Sequence, residues 1–146
     1  MASLKLEKTE KYIGVEMKDR FRFRVWCVNK KQWEKGKSYI DNEGRLYDDF
    51  RRVKEETHII NFCTGLKDKN GKLIYEGDIL KYTDCEGKET IGSLEVDRFN
   101  LLTFTNMVNC DFCEDWADVA KAVFFTGNST IEVIGNIYEN KDLLED

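Results

Sequence analysis

The chain is expected to fold as a mainly β protein of the α+β class, and three observations point there. It has ten glycines and no proline, so Gly, Asn and Asp must make every tight turn. These residues gather at Asp41 to Gly44, Asp68 to Gly71, Asp84 to Gly87 and Thr126 to Ser129. Between the gatherings lie short runs rich in β-branched and aromatic residues, and one of them, Phe21 to Trp26, alternates strictly. Period-two alternation is the pattern of a half-buried strand.

In chain order, Leu4 to Met17 is weakly amphipathic and is read as mostly an N-terminal extension, residues 1–16, ahead of one domain over 17–146. Within Phe21 to Trp26, Phe21, Phe23 and Val25 share one face, and Arg22, Arg24 and Trp26 share the other. Thr57 to Cys63 reads as the next strand. Asn70-Gly71 is the strongest hairpin signal, with a type I′ turn expected because both residues tolerate positive φ; Asp68 can bond across the same turn. Lys72 to Tyr82 reads as a strand bent at Gly77. Thr90 to Val96, Asn100 to Val108 and Ser129 to Tyr138 complete the series, and Asn140 is placed to cap a short terminal turn holding Leu143 and Leu144. One segment breaks the rhythm. Phe112, Trp116, Val119, Ala120, Val123 and Phe124 recur at helical spacing, with Asp111, Glu114 and Asp115 at the start, where the helix dipole favours acids. A helix is expected there.

With 146 residues, of which 41% are hydrophobic and 35% charged, the chain suits a single globular domain. A net charge of −5 works against general phosphate binding, which depends on Lys and Arg displacing counterions. No apolar run approaches the ~18 residues that cross a bilayer, and the first ten residues lack a signal-peptide core. A cytoplasmic protein without a membrane partner is expected. Five cysteines with no secretory signal suggest reduced thiols. Cys110 and Cys113 form the sole CxxC, while Cys27, Cys63, Cys85 and His58 stand at no zinc-site spacing. No metal or other cofactor is expected.

Catalytic signatures are missing. No GxxxxGK[ST], GxGxxG or HExxH occurs, and His58, the single histidine, sits in a strand-like run, where it is more often structural than a partner for Cys27 or Cys63. Glu76 and Asp78 would act as an acid/base pair only inside a cleft that separates their pKa values, and the stretch Thr64 to Leu80 reads instead as a strand-turn-strand staple. The chain is read as a non-enzyme with no catalytic residues.

Three blocks resemble the YopX family, proteins encoded by bacteriophages and prophages: "MKDRFRFRVW" (Met17 to Trp26), "INFCTGLKDKNGKLIYEGDILK" (Ile60 to Lys81) and "VIGNIYENKDLLE" (Val133 to Glu145). The resemblance implies a β-rich fold with a small SH3-like barrel component, helical additions and self-association. It carries no catalytic or ligand residues onto this chain. Three departures from the family pattern stand out: a start ahead of Met17, Cys27 after Trp26, and Lys141 where a proline usually follows Asn140.

Two binding classes then compete. The favoured one is a phage accessory module that associates with itself and with a host or phage protein, since strand-rich domains expose pairing edges; Phe112, Trp116 and Phe124 are its candidate interface. The alternative is a nucleic-acid face built from Arg22, Arg24 and Trp26, extended by Arg51, Arg52 and Lys54, on which an aromatic stacks bases between cations.

Overall fold

The computed structural model describes residues 19, 21–49, 51–83, 86–96, 102–108 and 131–145. Among them the chain is mainly β, as its alternation and turn residues imply. Strands β1 (Phe23–Cys27), β2 (Gln32–Trp33), β6 (His58–Lys67) and β7 (Leu73–Tyr75) form an antiparallel sheet in the order β2-β1-β6-β7. A second antiparallel sheet, ordered β10-β9-β8-β11, holds β8 (Asp78–Thr83), β9 (Glu89–Val96), β10 (Leu102–Val108) and β11 (Ile131–Asn136). Between β2 and β6 runs a short meander of β3 (Ser38–Ile40), β4 (Leu46–Asp48) and β5 (Arg51–Arg52).

The meander lies in Gly36 to Glu56, a stretch without a readable pattern, because strands of two or three residues are too short to show a period. Its turn is nonetheless built from the expected residues. Asp41 Oδ1 accepts from the amides of Glu43 and Arg45, each at 2.9 Å, and Gly44 takes φ +81°. Tyr39 and Tyr47, directly opposite in register, stack with centroids 4.9 Å apart.

The two larger sheets curl about one core as a half-barrel, with Leu66, Ile74, Leu80, Leu94, Phe104, Ile131 and Val133 in mutual contact. Each such side chain stabilises the fold by about 1.5–3 kcal/mol when fully buried. The corner between the sheets is Gly77, at φ +77°, a conformation glycine adopts without steric cost. Its amide donates to Leu94 O at 2.7 Å and its carbonyl accepts from Ile137 N at 2.9 Å, so one residue ties β7, β9 and the chain beyond β11 together.

Two local expectations are corrected. In the Asp68 to Lys72 turn only Gly71 has positive φ, +80°. The loop is therefore a type I turn closed by a left-handed glycine, the usual three-residue hairpin, and not a type I′ turn. The reason lies in Asp68, which is 4% exposed. Its Oδ1 accepts from the amides of Asn70 at 2.8 Å and Lys72 at 2.9 Å, and its Oδ2 accepts from Val133 N at 3.1 Å. That carboxylate organises the hairpin and pins it to β11. At the chain end, Asn140 precedes a 3-10 turn over Lys141–Leu144 but makes no side-chain cap bond; its Oδ1 accepts from Asn136 N at 3.2 Å instead.

The described helical residues form only short 3-10 turns, such as those at Glu55–Thr57 and Lys141–Leu144, so helical additions are not found among them. The helix expected over Phe112 to Phe124 lies outside the described residues. No described helix is long and apolar enough to cross a membrane.

Candidate functional site

The three sequence blocks meet around Arg24 and Trp26, neighbours on one face of β1. Arg24 Nη2 donates to Asp78 Oδ1 at 2.6 Å and to Glu76 O at 3.1 Å, while its guanidinium lies 4.2 Å from the Trp33 ring centroid and 4.9 Å from that of Tyr75. Planar, weakly hydrated guanidinium suits such a slot between two rings, where lysine would not. Trp26 stacks on Tyr138 at 5.0 Å and meets Trp33 edge-on at 5.1 Å. Trp33 Nε1 donates to Glu139 at 3.0 Å, and Asn136 Nδ2 donates to the same carboxylate oxygen at 2.7 Å. These two bonds, Asn136 first, hold the Glu139 carboxyl below its ordinary range.

Asp78 is 1% exposed. Burial pushes its carboxyl upward, against the pull of Arg24 and of the Tyr75 amide, which donates to Oδ2 at 2.8 Å. The ion pair is thus a costly buried charge, held by the bonds from Arg24 Nη2 and the Tyr75 amide while Arg24 Nε is buried without a partner. Its role is architectural: it locks the β7–β8 corner against β1.

The geometry corrects the picture of Arg22, Arg24 and Trp26 as one open face. Trp26 is 6% exposed, with its ring face occupied by Tyr138, and Arg24 is committed to Asp78. Arg22 alone of the three is largely exposed, at 54% of its side chain, and it pairs with Asp19 at 3.2 Å. Alternation correctly put Arg24 and Trp26 on the same side of β1; what covers that side is Trp33 on the neighbouring strand together with Tyr75, Asp78 and Tyr138, more than fifty positions away. Glu76 and Asp78 also do separate structural work, Glu76 Oε2 accepting from Phe62 N at 3.1 Å. At the hairpin tip, Lys69 pairs with Glu132 at 2.6 Å. Arg51 and Arg52 are exposed on β5. Phe112, Trp116 and Phe124 lie outside the described residues.

A second feature was not visible in the sequence: β1 has a partly open edge. β2 pairs with it only at Trp26 and Cys27, and Glu34 N extends the contact to Val25 O at 2.9 Å. Backbone groups two residues apart point to the same edge of an antiparallel strand, so those of Phe23 face outward where no described strand follows. A cavity of about 280 Å³ lies along this edge, lined by Phe21 to Val25, Glu34, Gly36, Ser38 and Tyr75. Phe21 is 78% exposed and Phe62 45%, and Phe62 packs on Phe23 with centroids 6.3 Å apart.

A third feature lies at the other end of β1. Cys27 and His58 are direct register partners, and continuing the β1–β2 register puts Glu34 opposite Val25, on the same face. Cys27 Sγ, a Glu34 carboxylate oxygen and a His58 ring nitrogen all lie within 4.8 Å of one another. Lys30 Nζ donates to Glu34 Oε1 at 3.0 Å, and this bond is the main reason the Glu34 carboxyl is lowered from its ordinary range. Sequence inspection weighed Cys27 and His58 but missed Glu34, since strand register, and not spacing along the chain, brings it in.

The architecture defines a class: a small, mainly β half-barrel domain whose distinctive residues are spent on internal locks. The chain belongs to the YopX protein family, whose model matches residues 22–145. Its fold is similar to that in the crystal structure of protein EF1440 from Enterococcus faecalis, with a TM-score of 0.53, 24% identity, and 85% of this chain and 97% of that one covered. None of the curated proteins matches it.

Proposed function

We propose that this chain is a phage- or prophage-encoded accessory protein that acts without catalysis, as a module that associates with copies of itself and through them with other proteins. Its half-barrel is read as an open SH3-like barrel, with the edge of β1 as the docking line. The observation that carries this reading is the outward edge at Phe23, flanked by the exposed rings of Phe21 and Phe62 and by a cavity of about 280 Å³ that runs beside it. An added strand gains main-chain hydrogen bonds from such an edge and side-chain specificity from the pockets beside it. The acidic balance and the internal commitment of Arg24 and Trp26 weigh against the nucleic-acid alternative.

Multi-angle light scattering at micromolar concentration tests this. The expected result is a mass that is a multiple of the 17.2 kDa chain, falling toward the monomer in a Phe21→Ser, Phe62→Ser variant that keeps its far-UV spectrum. A wild-type monomer across the range would sink the self-association reading. Salt-dependent binding of DNA or RNA, weakened by Arg51→Ala and Arg52→Ala, would replace it with the nucleic-acid one.

A further inference from the structure

We propose that Cys27, Glu34 and His58 form a three-ligand site for a thiophilic divalent cation of the zinc class, independent of the edge-binding reading above. Thr57 Oγ1 lies 2.9 Å from Lys54 O and 2.8 Å from His58 Nδ1. Lys54 O can only accept, so the one hydroxyl proton of Thr57 goes there. The His58 contact is then Nδ1–H donating to Oγ1, which turns Nε2 toward Glu34 Oε1, 3.3 Å away. A lone pair facing a carboxylate oxygen is repulsive unless a proton or a metal ion lies between them.

A metal ion satisfies the remaining geometry. Tetrahedral zinc, with bonds near 2.0–2.3 Å, sets its ligand atoms about 3.5 Å apart. The Nε2–Oε1 pair already stands at 3.3 Å, and the upper bound of 4.8 Å over all three atoms needs only a modest contraction. Thiolate, imidazole and carboxylate together favour zinc over magnesium or calcium. A histidine oriented through its other ring nitrogen is the common outer arrangement of metal sites, and Thr57 supplies it here. Lys30 holds Glu34 Oε1 and its side chain is 58% exposed, so it is free to swing outward when a cation replaces it. Binding releases the Cys27 thiol proton to solvent and cross-links β1, the end of β2 and the start of β6. Three protein ligands leave a fourth position for water or for a side chain from a docked partner.

The test is cobalt(II), then zinc(II), added to the reduced, chelator-treated full chain, with Cys85, Cys110 and Cys113 replaced by Ser in a second preparation. The expected result is a thiolate-to-cobalt charge-transfer band saturating at one equivalent in both preparations and displaced by zinc. Further Cys27→Ser or His58→Ala substitution abolishes it. Absence of the band, or its loss in the second preparation alone, would overturn the proposal, the latter by assigning the metal to the other thiols. Should Cys27→Ser fail to fold by circular dichroism, Glu34→Gln and Thr57→Val decide the matter. Thr57→Val removes the orienting acceptor, together with the hydroxyl bond to Lys54 O, and is expected to weaken zinc binding by about 10–100-fold; unchanged affinity in both variants would refute the site.

Discussion

Replacing Arg24 by Met removes the guanidinium but keeps a long apolar side chain between Trp33 and Tyr75. The loss is larger than the value of an ordinary surface pair, because Asp78 is 1% exposed and left without its counter-ion. Breaking a buried pair in this way costs about 3–5 kcal/mol. Arg24 keeps 24% of its side chain in solvent, which argues for the lower end, about 3 kcal/mol, or a fall in Tm of about 10 °C for a domain of this size. The sign with pH is also set. Asp78 is raised above its ordinary 3.8 by burial, with Arg24 the largest opposing influence. Between the unfolded and folded pKa values the native state holds the extra proton, so this group's contribution to stability is fully present below the unfolded value. It is lost as pH rises through the folded one. Removing Arg24 lifts the folded value further. The Arg24→Met deficit should therefore be small in acid, where Asp78 is protonated in both proteins, and should grow toward neutral pH. Urea unfolding at a series of pH values measures it, and Arg24→Met with Asp78→Asn should recover part of the loss by removing the stranded charge. A deficit below about 1 kcal/mol at neutral pH, against the size expected for a buried pair, or one that does not change with pH, would refute the account.

Other perturbations follow from the same structure. Asp68→Ala strips three amides of their acceptor in and beside the hairpin and should cost about 2–3 kcal/mol, the scale of bonds to a charged group, measured by chemical denaturation. Asp68→Asn, which keeps one carbonyl acceptor, should cost less. Gly77→Ala imposes a side chain at φ +77° with its Cβ 3.4 Å from Tyr138, and should lower stability by about 1–2 kcal/mol in thermal melts. Gly71→Ala, at φ +80° with nothing near its Cβ, isolates the backbone part of that cost.

Most long strands were legible because their residues repeat at period two or stand between turn clusters. Lys72 to Tyr82 with its break at Gly77 became β7, a corner and β8. Thr90 to Val96 became β9 within one residue. The shortest strands escaped notice for the opposite reason: Arg51–Arg52 in the meander and Gln32–Trp33 beside β1 are held by register with a neighbour and carry no periodicity of their own. The turn at Asn70-Gly71 was located correctly, but its type was decided by Asp68 reaching β11, a contact across sixty-five positions.

The role of a side chain proved harder to read than its place on a strand. Local sequence, through φ preferences and alternation, determined that this chain is mainly β, where it turns, and that Arg24 and Trp26 lie on one side of β1. The same residues carry the family's blocks. Whether that side is open to a ligand or closed by Tyr75, Asp78 and Tyr138 was decided only when distant strands packed, as was the meeting of Cys27 with Glu34 and His58. Backbone preferences act over a few residues and so can be read from them. Burial, ion pairing and ligand geometry depend on which distant groups share the same few ångströms, and only the tertiary fold sets that.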